Sequence, residues 1–268
     1  MIRAVCYSHI GKRPVHEDNA LLNGKYITSD MQMQMPREKC ICSELESTKR
    51  VNLFALSDGM GGHKAGETAS QICMERLSEI ENELQSCSSV KEAVKILQGE
   101  IAQINRIVSE QGNRSEELRG MGATLVMLII CDSECAIMNI GDSRAYQFDG
   151  ESLIQLTKDH TEGQRMLDLG LLSRKELAGF PARKNLTRYV GYDQEGYILR
   201  ADEYYPVWKS GIILLCSDGV TDVLTEERIR QILCTEEDLK DSAEKMVREA
   251  ASAANADNTT VVLITMER

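Results

Sequence analysis

The sequence has no pair of C-x-x-C knuckles. Its nine cysteines are scattered, with one residue between Cys40 and Cys42, and Cys131 and Cys135 four positions apart. That spacing argues against a structural zinc site. The count is odd, and a chain of 268 residues can build a core without covalent staples, so the cysteines read as reduced thiols. Long apolar runs are missing too. The longest, Leu125 to Cys131, is far short of a bilayer span, and MIRAVCYSHIGKR at the start has no extended apolar segment. A cytoplasmic location without membrane association is therefore expected. Positive charge is in the minority, with 31 Lys and Arg against 42 Asp and Glu and a net charge of −11. General binding along a nucleic-acid backbone needs clustered cations and is excluded. No internal repeat or low-complexity linker divides the chain. GMGGHKAGET lacks the Gly-Lys-Ser/Thr of a phosphate loop, and Lys64 stands where a dinucleotide fold needs glycine.

What is present reads as blocks of strands and blocks of helices. IRAVCYS is a short strand, and Asn-Gly between apolar runs in NALLNGKYIT signals a hairpin. Asp30 to Arg50 reads as a surface loop despite its alternating methionines, because Pro36 and charged residues follow them. An apolar strand then runs into Asp58. Two amphipathic helices are predicted next, one with Ala69, Ile72, Cys73, Leu77, Ile80 and Leu84 on its apolar face, the other with Val90, Ala93, Val94, Leu97, Ile101, Ile104 and Val108. ATLVMLIIC, CAIMNIG, RAYQF and SLIQLT predict an antiparallel meander. Residues 157–196 read as a polar surface excursion. A strand at GIILLCS, a helix around Leu239 to Ala250 and a last strand at TTVVLIT complete an α+β pattern of packed layers in a single domain, 1–268.

Acidic residues stand where the apolar strands stop: Asp58 after FAL, Asp142 after IMNIG, Asp218 after ILLC, and Asp257 before TTVVLI. Glu17 and Asp18 open the NALL strand. Strands ending on one side of a sheet would gather these carboxylates, which repel unless a cation neutralises them. Their all-oxygen chemistry suits Mg²⁺ or Mn²⁺, and Gly59 could turn its carbonyl toward the ion. Two such ions about 3.5–4 Å apart can share a hydroxide and clamp an oxyanion. Asp-Gly is also ordinary turn chemistry, the preferred reading for Asp149-Gly150, so on spacing alone a metal site and a set of turns both stay open. Arg13, in GKRPVHEDNA, could grip a phosphate bidentately or pair with a neighbouring carboxylate.

Taken in order, GKRPVHEDN, LSDGMGGHKAGE, GMGATLV, NIGDSRAY, LTKDHT, LCSDGVTD and ADNTTVVLI resemble the metal-dependent protein serine/threonine phosphatases of the protein phosphatase 2C family, in its bacterial branch. The matching segments run from Gly11 to Ile264. The resemblance implies a four-layer sandwich of two antiparallel β-sheets flanked by α-helices, with a flap segment at about 157–196 beside the active site. It implies Mn²⁺ or Mg²⁺, two ions in a core site plus a weaker third, and hydrolysis of phosphoserine and phosphothreonine by a metal-bridging hydroxide. Asp58 would bridge the ions and Gly59 would ligate through its carbonyl. Glu17, Asp218 and Asp257 would complete the second ion's shell, and Asp18 would hold metal-bound water. Asp142, Asp218 and Asp222 would hold the third ion, and Arg13 would bind the substrate phosphate. Many eukaryotic members carry a histidine after the Asp-Gly as candidate general acid. Here that residue is Met60, which leaves water or His63 as sources of the leaving-group proton. The expected partners are phosphorylated proteins, including a cognate serine/threonine kinase, and the chain itself is expected to be a monomer. The rival reading is an inactive pseudophosphatase that binds phosphoproteins without turnover.

Overall fold

Successive residues of the strand Val51–Met60 enter two different cores, and this alternation sets the layering. Leu53 and Ala55 pack into one apolar cluster, Phe54 and Leu56 into another. The structure is a computed structural model that describes residues 1–27, 40–61, 65–194 and 196–266. In chain order it contains β1 (Ile2–His9), β2 (Asp18–Leu22), β3 (Lys25–Tyr26), β4 (Ile41–Ser47), β5 (Val51–Met60), α1 (Ala65–Glu79), α2 (Glu81–Leu84), α3 (Val90–Arg114), β6 (Gly122–Ala123), β7 (Leu125–Cys131), β8 (Glu134–Ile140), β9 (Arg144–Phe148) and β10 (Leu153–Gln155). It continues with α4 (Glu162–Asp168), α5 (Arg174–Leu177), β11 (Asp202–Tyr204), β12 (Ile212–Cys216), α6 (Asp218–Thr221), α7 (Glu226–Thr235), α8 (Leu239–Ala251) and β13 (Thr259–Met266).

The strands form two antiparallel sheets, ordered β10-β9-β12-β13-β1-β4 and β11-β8-β7-β5-β2-β3, with β6 pairing the end of β5. Three apolar layers hold them. Between the sheets lie Ala4, Cys6, Phe54, Leu56, Val126, Leu128, Leu215, Val262 and Ile264. The helices α1 and α3 cover the outer face of the second sheet, with Leu77, Leu97, Ile101 and Ile104 against Leu53, Leu125, Met127 and Ile129. The helices α7 and α8 cover the first sheet, with Ile229, Ile232, Met246 and Val247 against Tyr146, Leu214 and Leu263. This is the α+β four-layer sandwich expected from the sequence. The strands read as continuous apolar runs because both faces of each sheet are covered.

The structure follows the sequence reading at some turns and departs from it elsewhere. Asn23 and Gly24 both have positive φ (47° and 79°), as a tight β-hairpin turn requires, so the Asn-Gly signal holds. The proposed loop from Asp30 to Arg50 is in part a strand: β4 pairs residue for residue with β1, while residues 28–39 lie outside the described residues. Its solvent-facing charges, Glu44 and Glu46, belong to a sheet edge, where charge deters further pairing. The first helix is interrupted at Ile80 before Leu84. The meander splits: β7 and β8 pair in one sheet, β9 and β10 in the other. The chain changes sheet at Gly141-Asp142-Ser143, where Gly141 has φ +99°. Asp149-Gly150 is an ordinary hairpin turn, in which Asp149 Oδ1 accepts the N–H groups of Glu151 and Ser152.

Candidate metal centre

The register of β2 against β5 sets Asp18 directly opposite Asp58. The flanking backbone closes the corner, since Gly59 N–H donates to Glu17 O at 3.1 Å. Asp58 is not at the end of its strand, as the sequence suggested. The strand continues to Met60 by pairing with Gly122 and Ala123. Asp218 opens α6 directly after β12, and Asp257 precedes β13, the neighbour of β12 in the same sheet. Asp142 arrives on the crossing between sheets. Arg13, Glu17, Asp58, Gly59, Met60, Asp142, Asp218 and Asp257 line one cleft of about 410 Å³. Asp18 is fully buried beneath this floor. Asp222 lies in an adjoining cleft of about 220 Å³, shared with Asp142, Asp218 and Lys184.

Hydroxyl and amide groups that the sequence reading passed over hold these carboxylates. Asp18 Oδ2 accepts from Ser217 Oγ and Thr260 Oγ1, each at 2.7 Å. Thr124 Oγ1 accepts the N–H of Asp58 at 3.0 Å and lies 2.7 Å from Ser143 Oγ. Asn258 clamps the 10–17 loop: its Oδ1 accepts Glu17 N–H at 2.7 Å, and its Nδ2 donates to Ile10 O and Val15 O. The signal available in the sequence was polar residues at strand ends, in GAT and DNTT, where a buried hydroxyl needs a partner.

The cluster resists ionisation. Burial, followed by the charges of Asp18, Asp218, Asp142 and Asp257, holds the Asp58 carboxyl well above the usual range. Burial pushes Asp142 up to about 7, with Asp218 adding to it. It pushes Asp18 up to about 7 despite the hydroxyl donors, and Glu17 up to about 7 despite the pull of Arg13. Two cations sit at the rim. Arg13 Nη2 contacts Asp257 Oδ2 at 2.5 Å, and Lys184 Nζ contacts Asp222 and lies 3.4 Å from Asp218 Oδ2. Among the described residues no three carboxylates already close round one point. Among the described residues, Glu17 Oε1 is nevertheless buried without a well-formed hydrogen bond, although the Gly66 backbone lies near enough to steady the carboxylate. A carboxylate oxygen so placed in an all-oxygen, electronegative cleft fits a hard divalent cation.

Glycine serves close approach here, where the sequence suggested a sharp turn. A Cβ on Gly59 would lie 2.0 Å from Gly66 O, and one on Gly66 would lie 2.4 Å from Glu17 Oε1. Gly59→Ala must push β5 from the start of α1, and is expected to cost about 1–3 kcal/mol. Thermal unfolding should show it as a fall of roughly 2–4 °C per kcal/mol. An unchanged melting temperature would contradict the close packing described.

Comparison with known proteins places this four-layer sandwich, with carboxylates gathered from both sheets at one edge, among protein phosphatase scaffolds. The protein phosphatase 2C profile matches residues 42–258. The serine/threonine phosphatase stp of Listeria innocua is 32% identical over 219 residues, covering 82% of this chain and 86% of that protein. The solved S. agalactiae serine/threonine phosphatase superposes with a TM-score of 0.81 over 100% of both chains at 24% identity, a likeness of fold. The catalytic domain of PstP, solved in complex with 2 manganese ions, gives a TM-score of 0.73 at 26% identity over 98% of both chains. The chain belongs to the protein phosphatase 2C family. Among the described residues, no helix is long and apolar enough to cross a membrane.

Proposed function

We propose that the chain is a metal-dependent protein serine/threonine phosphatase acting on phosphorylated proteins, among them a cognate kinase. The observation that carries this reading is the set of carboxylates Glu17, Asp58, Asp142, Asp218 and Asp257 lining one cleft. Asp58 would bridge two Mn²⁺ or Mg²⁺ ions, with Gly59 O, Glu17, Asp218 and Asp257 completing the core site. Asp142, Asp218 and Asp222 would hold a weaker third ion. The ions, when bound, supply the Lewis acidity that lets water attack phosphorus at neutral pH. Asp18 is too deep to line the cleft, and its orientation is fixed by Ser217 and Thr260, which suits an indirect hold on water. Arg13 is more than half exposed at the cleft rim, where its planar fork can receive two phosphate oxygens and balance their charge. Met60 lines the cleft but carries no proton to give. Water and His63 are the two candidate sources of the leaving oxygen's proton, and His63 lies outside the described residues.

The test is hydrolysis of a phosphothreonine peptide with and without Mn²⁺. Turnover that persists in EDTA would overturn the reading. Arg13→Ala is expected to raise KM by about 10–100-fold, the loss of a charge-assisted bidentate contact. Mn²⁺ affinity, followed by calorimetry, should be nearly unchanged, and its loss would contradict the role given to Arg13.

A further inference from the structure

The stretch LTKDHT is not used by the scheme above, yet it is bonded along its length to the segment that carries Asp142. Leu156 N–H donates to Ala145 O at 2.8 Å, and Ala145 N–H donates to Thr157 Oγ1 at 3.1 Å. Arg144 grips Asp159 through Nε and Nη2. His160 goes further, because it engages both backbone groups of Gly141. Its N–H donates to Gly141 O at 2.9 Å, and its Nδ1 accepts Gly141 N–H at 2.9 Å. An Nδ1 that accepts carries no proton, so the proton of the neutral ring is on Nε2. That nitrogen faces Asp202 Oδ2 at 3.0 Å. Asp202 also pairs with Arg188 of the flap segment. The carbonyl of His160 accepts Thr187 N–H at 2.8 Å, and Thr161 bridges Leu186.

We infer that His160 is a positioning residue that sets the Gly141 turn, and with it Asp142, and ties that turn to the base of the flap. The inference rests on the reading of Asp142 as an ion ligand. Gly141 has little other freedom: its φ is +99°, and a Cβ there would lie 2.6 Å from Thr124. The ring is buried and uses one nitrogen for the turn and the other for Asp202 of β11, which in turn holds Arg188 of the flap segment. The two functions can therefore be separated by substitution. The amide of asparagine can put oxygen where Nδ1 stands and keep the Gly141 contact. The amide of glutamine can put nitrogen where Nε2 stands and keep the Asp202 contact.

The experiment uses the full chain, with Mn²⁺ alone as probe. Mn²⁺ titration by calorimetry counts and ranks the ions, and amide hydrogen exchange reads the Gly141 N–H in ion-free protein. His160→Gln is expected to weaken the weakest ion by about 10–100-fold, as loss of a partner behind a ligand does, with the tighter ions unchanged. Exchange at Gly141 should quicken. His160→Asn is expected to hold that ion within about 3-fold of wild type, on the same scale of effects, while trypsin cleaves faster after Arg183 and Lys184. Equal loss of the weak ion in both variants would overturn the inference, as would wild-type binding in His160→Gln. Asp142→Asn separates the two readings. If it leaves every ion in place, the assignment of Asp142 fails. The positioning role is then judged on Gly141 exchange and on the imidazole ¹⁵N shifts of wild-type protein, where a protonated Nδ1 would overturn it.

Discussion

Asp58→Asn is expected to lower kcat on a phosphothreonine peptide by about 10³-fold or more, at saturating Mn²⁺, with the fold intact by circular dichroism. The charges of Asp18, Asp218, Asp142 and Asp257 all act on the Asp58 carboxyl. It is therefore the side chain best placed to serve two ions at once. Asparagine keeps its shape but removes the charge that a shared ligand supplies. Removing one preorganised donor at a reacting centre already costs about 10²–10³-fold, and loss of a bridging ligand affects both ions. The position is rigid: Asp58 N–H donates to Thr124 Oγ1, Asp58 O accepts Thr124 N–H at 2.8 Å, and the strand behind it is buried. A variant within a few-fold of wild type would remove Asp58 from the chemistry. Parallel Mn²⁺ titration of the variant should show weakened binding of the two tight ions.

The second large effect concerns pH and metal together. In ion-free protein Glu17, Asp18 and Asp142 titrate at about 7, where their ordinary values are 4.5, 3.8 and 3.8. Between those limits the folded chain binds protons that the unfolded chain has released. Their contribution to stability is therefore fully present below about pH 4 and is lost as pH rises through 7. Across pH 5–8, thermal unfolding of EDTA-treated protein should show a melting temperature that falls as pH rises. Mn²⁺ reverses the trend, because it binds the deprotonated cluster and displaces those protons. At about 100 times its Kd, each independent ion adds about 2.7 kcal/mol, or roughly 5–10 °C for a chain of this size. The gain should be large at pH 7.5 and small at pH 5.5. A Mn²⁺ shift that does not depend on pH would mean that the ions bind somewhere other than this carboxylate cluster.

The chain announces its layers more openly than its corners. Helix α3 is legible because Val90, Leu97, Ile101, Ile104 and Val108 repeat at the helical period and all are buried. The acidic strand ends are legible because a carboxylate after FAL or ILLC breaks an apolar run. Strand partnership is not legible. Nothing in RAYQF says that it leaves the sheet of CAIMNIG, because the change of sheet is made by three residues around a positive φ at Gly141. The role of Gly59 was misread for a related reason: a glycine needed for a turn and one needed for close approach look alike until Gly66 is seen against it. The supporting hydroxyls, Ser217, Thr124 and Thr260, are not legible because the acidic residues they bond are 66 or more residues away in sequence. Asp58, Asp142, Asp218, Asp257, Glu17 and Arg13 were named from sequence and do line one cleft. Asp18 lies beneath it, and Asp222 beside it with Lys184.

In the proposed scheme Asp58 sits between two divalent ions. A crystal soaked in Mn²⁺, measured above and below the manganese absorption edge, tests it most directly. Two strong anomalous peaks about 3.5–4 Å apart are expected, with Asp58 touching both and Glu17, Asp218, Asp257 and the Gly59 carbonyl around them. A weaker third peak is expected beside Asp142. Peaks absent from the Asp58 cleft, or a single ion bound elsewhere by other side chains, would contradict it.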